Sequence, residues 1–180
     1  MSVFCPFCNH ENLEGTDNCA RCFVSLTDRI SLQEQSEIEI DLLRRPLGDV
    51  MSDDYVAVPP HMSVGDVVRR LNDNGHHCAI VVEKDQSIAG IFTERDVLYK
   101  LADHFDKRAS APVCEYMTPR PETLQAGDPV AFGLNRMMAG GYRHIPLENQ
   151  GKLVGLVSVR NVLSYLVNRF PDAIPSLVIA

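Results

Sequence analysis

Four of the six cysteines, Cys5, Cys8, Cys19 and Cys22, fall in the first 22 residues as two C-x-x-C pairs ten residues apart. Each C-x-x-C turn presents two thiolates to one ion, and two such turns complete a tetrahedral four-cysteine zinc site. So short a segment cannot bury enough apolar surface to fold alone, so one structural zinc per chain is expected to supply the missing folding free energy. The rival chemistry is thiol–disulfide exchange, but a redox motif normally has a single C-x-x-C in a βαβ setting. His10 stands beside the cluster, where four thiolates already fill the shell. Cys78 and Cys114 have no cysteine nearby in sequence and read as small buried residues.

The second constellation occurs twice. GIFTERD (90–96) and GLVSVRN (155–161) share Gly, two apolar residues, a hydroxyl residue, a variable residue, Arg, and an acid or its amide. An ionised Asp96 can accept both hydroxyl hydrogens of a ribose diol. Thr93 and Ser158 offer hydroxyls at a strand-to-helix junction, where unpaired N–H groups and the helix dipole favour phosphate. Arg95 and Arg160 can grip a phosphate through two parallel hydrogen bonds. Asn161 lacks the charge that strengthens such bonds, which makes GIFTERD the stronger ribose site. All four hydroxyl and acid or amide residues are also ordinary helix caps, so a purely structural reading stands beside the functional one.

These residues need elements to hold them, and an internal repeat supplies them. Sliding residues 47–101 by 66, then by 65 after one deletion near Asp85, superimposes Met51 on Met117, Gly75 on Gly141, Gly90 on Gly155 and Arg95 on Arg160. Each copy reads β-α-β-β-α. Short strands are expected around Tyr55–Val58 and Glu122–Leu124. Val64, Val67, Val68 and Leu71 give helical spacing, with Ser63 as N-cap; in the second copy Asp128 is expected to cap and Pro129 to open the helix. Strands at Ala79–Val82 and Ile88–Phe92, and at Ile145–Leu147 and Leu153–Val157, flank turn-like segments. Final helices start near Glu94 and Val159. The connector SLQEQSEIEIDLLRRP alternates at Ile38, Ile40 and Leu42, which leaves strand and helix open. Met137–Met138 reads as core or interface.

Residues 47–167, with Val-Met-Ser and Tyr-Met-Thr openings and the run GYRHIPL (141–147), resemble a tandem pair of CBS domains, a Bateman module. The head resembles a small zinc ribbon, although Asn9 and Phe23 stand where such knuckles usually have a left-handed Gly. The resemblance implies an α+β, pseudo-twofold module that regulates rather than catalyses. It would bind AMP, ADP, ATP or S-adenosylmethionine in clefts between the copies and form a homodimer. It also implies that His76, His77, Arg143 and His144 approach base or phosphates, and that Tyr55, Val56, Arg120 and Pro121 wall the adenine. The expected boundaries are 1–26 zinc ribbon, 27–46 linker, 47–106 first CBS domain, 107–170 second, and 171–180 tail.

The net charge of −7 argues against a general nucleic-acid binder or an anionic membrane surface as partner. The head carries Arg21 against Glu11, Glu14 and Asp17, so protein contact is favoured over DNA or RNA there. The opening MSVFCPFC has no signal-peptide pattern, so a cytoplasmic location is expected. No Ser-His-Asp arrangement, P-loop or G-x-G-x-x-G is visible, so catalysis is not expected. The alternatives are a zinc-ribbon transcription-related regulator and a structural CBS module without ligand.

Overall fold

The computed structural model describes residues 2–6, 9–21, 25–26 and 36–173. Strands β1 (Ser2–Phe4) and β2 (Glu11–Leu13) pair antiparallel at the head. The connector resolves as helix α1 (Glu37–Arg44), and its cap explains why. The Ser36 hydroxyl accepts the Glu39 N–H at 3.2 Å, and the Glu39 carboxylate accepts the Ser36 N–H at 2.7 Å. That capping box selects helix where side-chain alternation left two readings open.

The first copy follows as β3 (Val56–Val58), α2 (Val64–Asn74), β4 (Cys78–Val82), β5 (Ile88–Thr93) and α3 (Glu94–Lys100), then a short α4 (Phe105–Arg108). The second copy opens with a two-residue strand β6 (Thr118–Pro119) and continues as β7 (Leu124–Gln125), α5 (Val130–Gly140), β8 (His144–Asn149), β9 (Lys152–Ser158) and α6 (Val159–Arg169). The sheets run β3-β4-β5-β6 and β7-β8-β9. Gly75 and Gly141 close α2 and α5 at φ 65° and 66°, the left-handed turn that glycine adopts without a Cβ penalty.

The described chain divides into two compact units, residues 1–51, 125–144 and 157–180 in one and 52–124 and 145–156 in the other. In the second unit, β4 is buried along its whole length, as its unbroken apolar run requires. Alternate side chains serve opposite faces. Ala79 and Val81 join Val58, Val64, Val67, Leu71, Phe92, Leu101 and Val113 on one side. Cys78, Ile80 and Val82 join Ile91 and Leu156 on the other.

The division does not follow chain order, because each copy's opening segment is held in the unit of the other copy's first helix. Leu47 N–H donates to Asp128 O at 2.8 Å, Gly48 N–H to Ala126 O at 2.8 Å, and Val130 N–H to Arg45 O at 2.8 Å. Sixty-six residues along, Val113 N–H donates to Met62 O at 2.8 Å, Cys114 N–H to Pro60 O at 3.2 Å, and Val64 N–H to Ala111 O at 2.9 Å. The bridges Pro46–Pro129 and Ser63–Pro112 obey the same shift. The repeat is therefore carried by backbone bonds as well as by side chains.

Two expectations are corrected. Asp128 does not cap α5: Pro129 is the N-cap, without a side-chain bond, and the Asp128 carboxylate turns back to accept Gln125 N–H at 2.9 Å. Cys114 is exposed, since its turn buries Val113 instead. Met137 is core at 3% exposure, but Met138 is 83% exposed, one residue round the helix from the apolar face. Among the described residues, no helix is long and apolar enough to cross a membrane.

Candidate functional site

In the unit of residues 52–124 and 145–156, strand direction gathers most of the first-copy candidates at one end of the sheet. β3 and β4 run parallel from that end, and β5 runs back to it, with Cys78 opposite Thr93 and Val56 opposite Ala79. Tyr55 and Val56 enter there, His76 and His77 lead into β4, and Thr93 leaves β5 for α3. Tyr55 packs against the Cys78 cluster. Burial, with the Asp53 charge behind it, raises the Tyr55 phenol's pKa, which keeps it a neutral donor. Burial also raises the Cys78 thiol, with the Asp96 charge adding to it, so Cys78 is neither nucleophile nor ligand. His77 Nδ1 lies 2.8 Å from Glu94 Oε1, at the exposed lip of the corner.

Asp96 lies at the centre of this corner, 7% exposed. Its Oδ2 accepts the Thr93 N–H at 2.9 Å and the Thr93 hydroxyl at 3.0 Å. Its Oδ1 meets the Lys100 ammonium at 2.7 Å. One oxygen thus serves the helix cap, and the other serves a half-exposed cation. The carboxylate combines the capping role with a second acceptor, so the two readings of Asp96 are compatible. Arg95 is exposed on the same turn. Arg120 is not brought here: its N–H donates to Ala89 O at 3.1 Å, four residues up β5 from Thr93, or about 13 Å along the strand. Lys100 and Glu94 were missed in the sequence; the i,i+4 spacing of Asp96 and Lys100 was the available signal.

The unit holding α5 and α6 contains the other corner. Ser158 N–H and the Ser158 hydroxyl donate to Asn161 Oδ1 at 2.8 and 2.7 Å, and Asn161 N–H donates to Ser158 Oγ at 3.2 Å. The amide oxygen is spent on the cap, so only its NH₂ remains for anything outside. Arg143 and His144 sit next to it, since Val159 N–H donates to Arg143 O at 3.1 Å. Arg160 is exposed, like its counterpart. Where the first copy has Lys100, this one has Tyr165, whose hydroxyl donates to Asp41 of α1.

At the head, Cys5 and Cys19 are buried, at 2% and 0% exposure; Cys8, Cys22 and Phe23 lie outside the described residues. Arg21 N–H points at Cys19 Sγ at 3.4 Å, and Asn12 Nδ2 at 3.6 Å. Asn9 is left-handed at φ 53°, as a knuckle turn demands. Two N–H donors aimed at a buried sulfur fit a thiolate better than a thiol. Arg21 also lies 4.8 Å over the Phe132 ring and 3.5 Å from Asp128, and its carbonyl accepts from Arg136 at 3.4 Å, so the head rests on α5. Among the described residues, no group of three or more metal-ligating side chains occurs.

Comparison with known proteins gives this architecture a context. An uncharacterized 17.7 kDa protein of Acidianus ambivalens is 29% identical over 112 residues, 62% of this chain and 66% of its own. The chain spans 66% of that relative's length and as little as 21% of another's, the CBS domain-containing protein CBSCBSPB3 of Arabidopsis thaliana. The CBS domain protein PAE2072 from Pyrobaculum aerophilum, complexed with AMP, superimposes with a TM-score of 0.59 at 23% identity, covering 68% of this chain and 98% of that one. The CBS domain pair of protein MJ0100, in complex with 5-methylthioadenosine and S-adenosyl-L-methionine, gives 0.62 at 18% identity, covering 69% and 97%. The CBS domain family matches residues 47–103 and 113–168, the same two stretches that the backbone repeat relates. With both copies matched over well over half its length, the chain belongs to the CBS-domain family.

Proposed function

We propose that this protein is a regulatory sensor for an adenosine-containing ligand, bound at the Thr93–Asp96 corner rather than its counterpart. The observation that carries this is the asymmetry of the two corners. Asp96 keeps a charged acceptor, Oδ1, beyond its capping bonds, whereas the Asn161 oxygen is spent on its cap. Thr93 and Arg95 are the residues assigned to phosphate in this reading, and Tyr55, Val56, His76 and His77 those assigned to the approach to the base. Family members captured with AMP and with S-adenosyl-L-methionine support the ligand class. At the second corner, Ser158, Arg160, Asn161, Arg143 and His144 form a weaker site. The head carries one structural zinc on Cys5, Cys8, Cys19 and Cys22 and offers a protein-contact surface. The working form is a homodimer in the cytoplasm.

The test is a thermal-shift screen with AMP, ADP, ATP and S-adenosylmethionine. A ligand at one hundred times its Kd stabilises the folded state by about 2.7 kcal/mol. Asp96→Ala is expected to abolish most of the ligand-induced shift, and Asn161→Ala to leave it largely intact. A flat response to all four ligands would favour a structural CBS module instead.

A further inference from the structure

Lys100 bridges two things that a sensor must connect. Its ammonium sits 2.7 Å from Asp96 Oδ1, the acceptor that the cap leaves over. The same ammonium donates to the Tyr116 carbonyl at 2.6 Å and approaches the Met117 carbonyl at 3.4 Å. Tyr116 and Met117 follow the Val113–Glu115 turn, the second copy's opening segment that is held in this unit by Met62 and Pro60.

We infer that Lys100 is a displaceable occupant of the ligand's own acceptor, and that its release reports binding to the Tyr116–Met117 segment. This rests on the reading of Asp96 as a ribose acceptor. Asp96 is almost buried while the Lys100 side chain is 40% exposed, so the lysine is the lid and the carboxylate the floor. A ribose diol donates hydrogen bonds, as the ammonium does, and it exchanges for the ammonium at Oδ1 without leaving the carboxylate unpaired. A Lys ammonium suits this role because it is a compact point charge on a flexible stem, held here by no fixed fork geometry. Freed from Asp96, it loses one of the anchors that position it under the Tyr116 carbonyl. The second copy has no such switch, since Tyr165 stands at that place and bonds Asp41 instead.

The experiment uses the full chain with AMP as probe and calorimetry as an independent measure of binding. Brief acetylation is read by mass spectrometry, with Lys84, Lys107 and Lys152 as internal references. AMP is expected to increase Lys100 labelling relative to those three. Lys100→Met is expected to bind AMP about fivefold more tightly, the upper end for a half-exposed ion pair. AMP binding with Lys100 labelling unchanged or reduced would overturn the exchange and assign Lys100 to the phosphate or to no role, leaving the ribose site standing. Weaker binding by Lys100→Met would do the same. Failure of the wild-type chain to bind AMP, ATP or S-adenosylmethionine, which share the ribose diol, would overturn both.

Discussion

At the scale of single residues, Gly90 shows why the seven-residue motif begins as it does. A Cβ built at Gly90 runs into Met117 Sδ, because β6 crosses beside it with Pro119 opposite Gly90. The glycine lets the second copy's opening segment approach the strand that delivers Thr93. Gly90→Ala is expected to cost about 1–3 kcal/mol by overpacking, read as a lower urea midpoint with an unchanged slope. An unchanged midpoint would show that the Met117 side chain moves aside freely. Residue types were legible in the sequence where chemistry depends on type: Thr93 and Asp96 stand at the expected strand-to-helix junction, and Cys78 is buried as its lack of a cysteine partner suggested. Exposure of Cys114 and the loss of the expected Asp128 cap were not legible, because each depends on how one turn is rotated.

At the scale of elements, α1 is the informative case. Its length and cap were open in the sequence, and its partner was invisible there. Asp41 bonds Arg45 at 2.9 Å within the helix and accepts the Tyr165 hydroxyl from α6, while Arg45 lies 5.5 Å over the Tyr165 ring. The Arg45 hydrogen bond, offset in part by burial and helped by Tyr165, holds the Asp41 carboxyl below its ordinary range. A depressed folded-state pKa contributes stability that is fully present above the ordinary Asp value near 3.9. That contribution is lost as pH falls below it toward the folded-state value. Asp41→Asn is therefore expected to lower the melting temperature at pH 7 and to flatten its fall between about pH 4 and 2. Parallel acid limbs for the two proteins would show that the Asp41 contact is neutral. The strands and the amphipathic α2 were readable because burial imposes a period of two or 3.6 on side chains. The pairing of β6 was not, since two residues with a proline carry no period at all.

At the scale of the molecule, the head is docked on α5 through Arg21, and the zinc proposed for it is open to direct test. Metal analysis after dialysis is expected to find about one zinc per chain, and Cys19→Ser is expected to lose it. Metal-free protein with oxidised head cysteines would remove the zinc reading while leaving the CBS pair untouched. The exchange of opening segments was beyond sequence reasoning for a plain reason: backbone-to-backbone bonds leave no signature in residue type. Its consequence reaches past this chain. A single copy cut out at the midpoint would carry its opening turn but not the helix start that receives it, and could satisfy both only by trading turns with another molecule. Half of this sequence, produced alone, is therefore expected to pair by that exchange.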